Sequence, residues 1–256
     1  MKKLLLTFLV LLFVNSFVFA AENTFATLVP SITEIMYAID AQDKLIAVST
    51  ECNYPKDAEK KEKIGNTFYF NKERLLELSP DYLLTVEGSQ FANFQITNKS
   101  KIKAVCYTMD SVNAVYDAIL SVGRLTDRYD NAVKLVKKLS KDIDNTKPKR
   151  QQKILYIIQF NPIITIGNKS YLSDVIRKSG QINETDDLNE FYPAVSYEYL
   201  LTKKPDIIVV SFRNGYEKIQ KLFPNTKIYF LSDGENSLIN RPGPRINQAV
   251  RFFADL

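Results

Sequence analysis

Two glutamates, Glu73 and Glu198, head the same pattern in distant parts of the chain. Glu73-Arg74-Leu75-Leu76 runs on to Pro80-Asp81, and Glu198-Tyr199-Leu200-Leu201 runs on to Pro205-Asp206, each followed by an apolar run. A carboxylate at the start of a helix gains roughly a few tenths of a kcal/mol from the helix dipole. Other chemistry is bounded by absence. The sequence has no histidine, which removes Ser-His-Asp and Cys-His nucleophilic sites and every His-ligated metal centre. It also has no Gly-rich phosphate loop, no nucleophile elbow and no nucleophile beside a base. Of the two cysteines, Cys52 and Cys106, a disulfide is possible in an oxidising compartment if their Cα atoms lie within roughly 4.4–6.8 Å.

The twin pattern reads as one helix-turn-strand unit used twice, and a duplicated α/β unit implies two lobes with a cleft between them. Periodicity places strands at Phe25 to Val29, Lys44 to Ser49, Tyr82 to Val86 and Ile102 to Tyr107, with a helix from Asn71 to Leu78. Ser31 followed by Glu34 has the spacing of a capping box, so a helix is expected from Ile32 to about Ile39. Apolar positions from Ser111 to Lys147 are helical in spacing and break near Gly123 to Thr126. The segment after the break could form a helix of about 20 residues, some 30 Å long. Such a helix either bridges two lobes or lies on the surface of the first. A second βα series follows: Lys153 to Gln159, Tyr171 to Ser179, Ser196 to Thr202, Ile207 to Ser211, Lys227 to Leu231, and a closing helix from Pro244 to about Ala254. The second half is thus expected to repeat the plan of the first.

The opening Met1-Lys2-Lys3, the apolar run to Phe19 and the small residue Ala20 have the form of a cleaved secretory signal peptide. The apolar run is shorter than the roughly 20 residues of a spanning helix. No cysteine follows the cleavage site, so export to a periplasm as a soluble protein is expected rather than a lipid anchor. The formal net charge of +5 includes Lys2 and Lys3, and the remaining cations are interspersed with acids, which is no nucleic-acid footprint. The basic run Lys147 to Lys153 reads as a solvated connector. The expected organisation is a signal peptide over 1–20, an α/β lobe over 21–125, a linking helix over 126–148 and a second α/β lobe over 149–256. The length suffices for each lobe to have its own core.

Leu28-Val29-Pro30-Ser31-Ile32-Thr33-Glu34, Cys52-Asn53-Tyr54-Pro55, Phe191-Tyr192-Pro193-Ala194-Val195-Ser196 and Arg241-Pro242-Gly243-Pro244-Arg245, together with Glu73 to Asp81, resemble the periplasmic cobalamin-binding proteins of ABC importers. The Leu-Leu…Pro-Asp element is shared with siderophore and haem binders of the same superfamily. The resemblance implies a class III periplasmic binding protein, with two Rossmann-like lobes joined by a long rigid backbone helix and little lobe movement. Carried over residue by residue, it places ligand contacts at Glu51, Tyr54, Thr67, Phe68, Tyr69, Ile164, Tyr192, Asp233 and Arg241. Aromatic faces would bury a macrocycle edge while Asp and Arg bond its amides or phosphate. Thr67 and Ile164 depart from the family's large aromatics, and tryptophan is missing. Each of these aromatics has an ordinary packing role as its alternative, Arg241 could merely brace its turn, and Asp233 could be a turn former. The resemblance assigns Glu73 and Glu198 to docking on the permease. It further implies a monomer without enzymatic activity or resident cofactor, whose partners are a metal chelate and an inner-membrane permease and ATPase complex. A ferric-siderophore or haem binder, with Tyr69 as axial phenolate, is the nearest rival. An exported α/β enzyme working without histidine is the alternative from another class.

Overall fold

The computed structural model describes residues 22–87, 101–212 and 215–256, so the expected signal peptide lies outside the described residues. The first half forms a five-stranded parallel sheet in the order β3-β2-β1-β4-β5. Its strands are β1 (Phe25–Thr27), β2 (Leu45–Val48), β3 (Glu62–Lys63), β4 (Tyr82–Val86) and β5 (Lys103–Tyr107). The order reverses between β1 and β4, which makes the carboxyl ends of those strands a switch point of the kind where ligands sit.

Pro30 opens α1 (Pro30–Ala38) at its first turn, where a missing N–H costs nothing, and Val29 is the N-cap without a side-chain bond. The capping box expected of Ser31 and Glu34 is therefore not formed. Starting the helix at Pro30 moves Ser31 inside it and frees Glu34 for another role.

The duplicated pattern now has a physical reading. In α2 (Lys72–Leu78) and α6 (Tyr197–Leu201) the first leucine of each pair is buried, Leu75 against Ala26 and Leu83, and Leu200 against Ile208 and Val210. The second leucine of each pair, Leu76 or Leu201, is exposed. The aspartate of each Pro-Asp step clamps the start of the neighbouring central strand. Asp81 accepts bonds from the Thr24 amide at 2.8 Å and hydroxyl at 2.9 Å, and Asp206 accepts one from the Lys153 amide at 2.8 Å.

The second sheet runs β11-β10-β6-β7-β9, with β8 also on β6. These are β6 (Lys153–Phe160), β7 (Ile163–Thr165), β8 (Ile182–Asn183), β9 (Ala194–Val195), β10 (Ile207–Val210) and β11 (Lys227–Phe230). Strands β10 and β11 are parallel to β6, whereas β7 returns antiparallel through Asn161-Pro162 and pairs with β9. The second half is therefore no simple copy of the first, because a hairpin replaces one of the βα crossovers.

Between the sheets, α3 (Val112–Leu125) and α4 (Tyr129–Asp144) form an antiparallel pair turned by Asp127 in the left-handed region at φ 57°. The linking helix is thus 16 residues rather than about 20. Bridging is shared: α3 packs on α5 (Tyr171–Lys178), and α4 packs on α9 (Ile246–Asp255). A continuous buried cluster runs from Phe25, Ile32 and Ile35 through Val115, Ile119, Leu139 and Ile143 to Ile154, Val175, Val250 and Phe253. The expectation of one core per lobe is corrected accordingly. The inner faces of both sheets share a core, and only their outer faces have separate clusters.

The possible Cys52–Cys106 disulfide is absent, and both thiols are free. Cys52 follows β2 and Cys106 lies in β5, with β1 and β4 between those strands, a separation of about 14 Å at roughly 4.8 Å per strand. That exceeds the roughly 7 Å a disulfide can span. Cys52 instead sits buried within 3.1 Å of Thr33 Oγ1 and 3.2 Å of Ser49 Oγ.

Candidate ligand-binding cleft

The turn Arg241-Pro242-Gly243-Pro244-Arg245 lies between α8 (Asp233–Ile239) and α9 and projects two guanidinium groups across to the first lobe. Arg245 donates Nε to Glu34 Oε2 and Nη2 to Glu34 Oε1, both at 2.8 Å, a bidentate fork. Arg241 donates Nη1 to Glu34 Oε1 at 3.2 Å and to Asn53 Oδ1 at 2.8 Å, and Nη2 to the Glu51 carbonyl at 3.3 Å. The Glu34 side chain is 1% exposed, so its charge is removed from water and depends on these partners. The Arg245 guanidinium also stacks on the Tyr54 ring, 4.1 Å from its centroid, a cation–π contact. A second link crosses nearby, where Asp174 of α5 accepts the Val112 amide of α3 at 2.8 Å. A carboxylate of one lobe thereby satisfies an orphan donor at the helix N-terminus of the other.

Beside Arg241 opens a cleft of about 590 Å³ lined by Ile158, Ile164, Leu172, Tyr192, Ser211, Phe212, Asn236, Ser237, Asn240 and Arg241. Its wall comes from the second lobe, and the first lobe reaches it through the Glu51 and Asn53 contacts of Arg241. Beneath the polar wall, the hydroxyl of the buried Tyr156 lies 3.0 Å from Ser211 Oγ and donates to Asn240 Oδ1 at 3.0 Å. Burial pushes this phenol up to about 12 against the opposing pull of those two bonds. Tyr192 is 51% exposed, and burial of the remainder, followed by the Asp110 charge, raises its phenol above the usual value. It stands in the cleft as a neutral hydroxyl on an aromatic face.

Of the nine contact positions expected from sequence, Ile164, Tyr192 and Arg241 line this cleft, and Glu51 and Tyr54 are held at its edge by the two arginines. Thr67 donates to the Leu28 carbonyl at 2.9 Å, tying the 66–70 loop to the end of β1. On that loop Asn66 Oδ1 accepts the amides of Phe68 and Tyr69, and both rings are exposed, Tyr69 at 74%. Asp233 is the exposed first residue of α8, a helix absent from the expectations drawn from sequence. The signal was present: Ser232 and Glu235 form the kind of capping box expected at Ser31. Asn236, Ser237 and Asn240, rather than Asp233, carry the cleft wall from that helix. Glu73 and Glu198 are exposed in the first turns of α2 and α6. The Ser196 hydroxyl holds the Glu198 carboxyl below its ordinary range, so it stays ionised. Among the described residues no group of three or more Cys, Asp or Glu could hold a metal ion, and no helix is long and apolar enough to cross a membrane.

Two α/β lobes on a shared core, pinned by a buried carboxylate beside an aromatic and amide-lined cleft, define a two-lobe solute-binding protein. The chain belongs to the periplasmic binding protein family, whose model matches residues 26–231. It is 28% identical over 265 residues to the vitamin B12-binding protein of Vibrio vulnificus strain YJ016, covering 98% of this chain and 97% of that one. It is 26% identical to the uncharacterized ABC transporter substrate-binding lipoprotein YvrC of Bacillus subtilis strain 168, over 90% of this chain and 78% of that one. Among solved structures it superposes on the vitamin B12-binding protein BtuF of Vibrio cholerae with a TM-score of 0.72 at 24% identity, covering 91% of this chain and 95% of that one. The haem-binding protein HutB of Vibrio cholerae gives a TM-score of 0.77 at 19% identity, with 91% and 97% covered. At these identities the two structures establish the fold.

Replacing Glu34 by Ala leaves two shielded guanidinium groups without their counter-ion. We expect a loss of about 3–5 kcal/mol, the cost of breaking a buried pair from one side. A thermal midpoint lowered by about 10 °C is the corresponding readout, and an unchanged midpoint would refute the anchoring role. For Tyr156 the sign follows from its raised value. The unfolded phenol ionises near 10 and the folded one at about 12, so the unfolded chain sheds its proton first. This stability is intact below about pH 10 and is lost as pH rises through about 12, up to roughly 3 kcal/mol. Urea midpoints between pH 9 and 12 should fall more steeply for the native chain than for Tyr156→Phe.

Proposed function

We propose that this protein is the substrate-binding component of an ABC importer, that it captures a corrinoid, cobalamin foremost, and that it hands its cargo to a permease and ATPase complex in the inner membrane. The observation that carries the reading is the make-up of the cleft. Its walls are aromatic and aliphatic, its polar groups are largely neutral hydroxyls and amides, and Arg241, the one cation lining it among the described residues, is already engaged by Glu34. A macrocycle edged with amides and faced with methyl groups matches such a wall. The full-length similarity to a vitamin B12-binding protein points the same way. Haem and ferric siderophores are the rival cargoes. For haem the obvious phenolate, Tyr69, stands 74% exposed on a loop. The protein performs no reaction on its cargo. It is exported to the periplasm and works there as a monomer, with Glu73 and Glu198 on its two lobes serving as contacts for cationic groups of the permease.

Calorimetric titration with cyanocobalamin, haemin and a ferric hydroxamate siderophore tests the cargo. Only the corrinoid should bind tightly, with small visible shifts, and Tyr192→Ala should weaken it at least tenfold through lost burial of about 1.5–3 kcal/mol. Tight haemin binding with a displaced Soret band would replace this reading. For docking, Glu73→Ala and Glu198→Ala should keep the ligand Kd while slowing association with the reconstituted permease complex, more so at low salt. Unchanged association rates in both variants would remove the two glutamates from that role.

A further inference from the structure

The hydrogen bonds in the polar wall of the cleft have a fixed direction, set by two groups that can only accept. Asn236 Nδ2 donates to the Ser211 carbonyl at 2.7 Å, and Asn240 Nδ2 donates to the Asn236 carbonyl at 3.1 Å. A backbone carbonyl has no proton to give, so each side-chain amide must turn its nitrogen toward that carbonyl and its oxygen the other way. Asn240 Oδ1 therefore faces the Tyr156 hydroxyl, 3.0 Å away, and the phenol is the donor. Its raised ionisation, at about 12, keeps that proton in place at neutral pH.

The phenol has a single proton, and it is spent on Asn240. The contact between Tyr156 and Ser211 Oγ, also 3.0 Å, is then a bond in which the serine donates. With its own proton turned inward, Ser211 Oγ keeps only lone pairs, and no group among the described residues donates to them. Asn240 is in the same condition. Both protons of its amide nitrogen go to Asn236, one to the carbonyl and one to Oδ1, while its oxygen keeps a lone pair to spare. Two residues of the cleft wall are thus acceptors without a proton to offer. Both stand 3.0 Å from one hydroxyl oxygen and so within about 6 Å of each other, a span that the two N–H groups of a primary amide cover at about 2.9 Å per bond.

We infer that Ser211 is a specificity-determining residue of the cleft, an obligatory acceptor for a carboxamide N–H on the cargo, and that Tyr156 is the positioning residue that makes it so by holding the serine proton inward. A carboxylate in the same place would set lone pair against lone pair, and Arg241 beside it is already turned to Glu34 and Asn53. The inference rests on the corrinoid reading and adds which group at the macrocycle edge is read. It is tested by calorimetry at neutral pH with cyanocobalamin and the monocarboxylic acids made from it by hydrolysing one peripheral propionamide at a time. The native protein should bind cyanocobalamin at least tenfold more tightly than one of these acids, whose carboxylate meets an acceptor. Ser211→Ala should weaken cyanocobalamin several-fold and bring that ratio close to one. Tyr156→Phe, which frees the serine proton to turn outward and donate to a carboxylate, should lower the ratio likewise. A merely structural loss would weaken both probes by one factor, so an unchanged ratio in either variant overturns the inference. Should Tyr156→Phe fail to fold, Ser211→Ala still decides. Native binding that treats cyanocobalamin and every acid alike also overturns it and leaves the corrinoid reading standing. Binding of none of the probes overturns both readings together.

Discussion

One carboxylate organises the space between the two lobes. Glu34 belongs to the first helix of the first lobe, and both groups that neutralise it, Arg241 and Arg245, come from a five-residue turn in the second. A charge taken out of water is tolerated only while its partners stay in place. Displacing one lobe would leave both signs unpaired at once. The two prolines and the glycine between the arginines keep the donors aimed at a common target, and the same geometry presents Arg241 to the cleft and spreads Arg245 over Tyr54. Such a pair adds little net stability over a well-packed apolar substitute. Its contribution is registration: it selects one arrangement of the lobes among the many that apolar contacts alone would accept.

Packing supports the same arrangement. The buried cluster passes without interruption from the first sheet, through α3 and α4, into the second. Opening the lobes would expose part of a common interior, so the unliganded cleft is already close to its working form. Preorganisation lowers the ordering cost of capture.

How much of this is legible in the sequence depends on whether a signal is local. The two Leu-Leu…Pro-Asp units are legible because each is a complete local device, with one leucine to bury, one turn to make and one aspartate to hold the adjacent strand. Strands such as Tyr82–Val86 and Ile207–Val210 are likewise written in their apolar runs. Glu34 is open to misreading because a capping box and a buried cross-lobe partner share the same spacing, and the arginines that decide between them lie more than 200 positions away. The β6–β7 hairpin escapes because Asn161-Pro162 is a short interruption in what resembles one strand. The α8 helix escapes because Asp233-Gly234 has the composition of a turn, although Ser232 and Glu235 cap a helix there. Three of the expected contact residues meet in the cleft and two more reach its edge through the arginines, whereas its amide wall cannot be found without that helix.

The position of α9 has a consequence for the order in which the molecule can be made. This helix follows every other described element in the chain, and it packs on α4 and α5 and buries Val250 and Phe253 in the shared interior. A chain that emerges from its amino end must therefore present nearly all its other elements before the piece that closes them arrives. The common interior stays unsealed until those ten residues of helix are available.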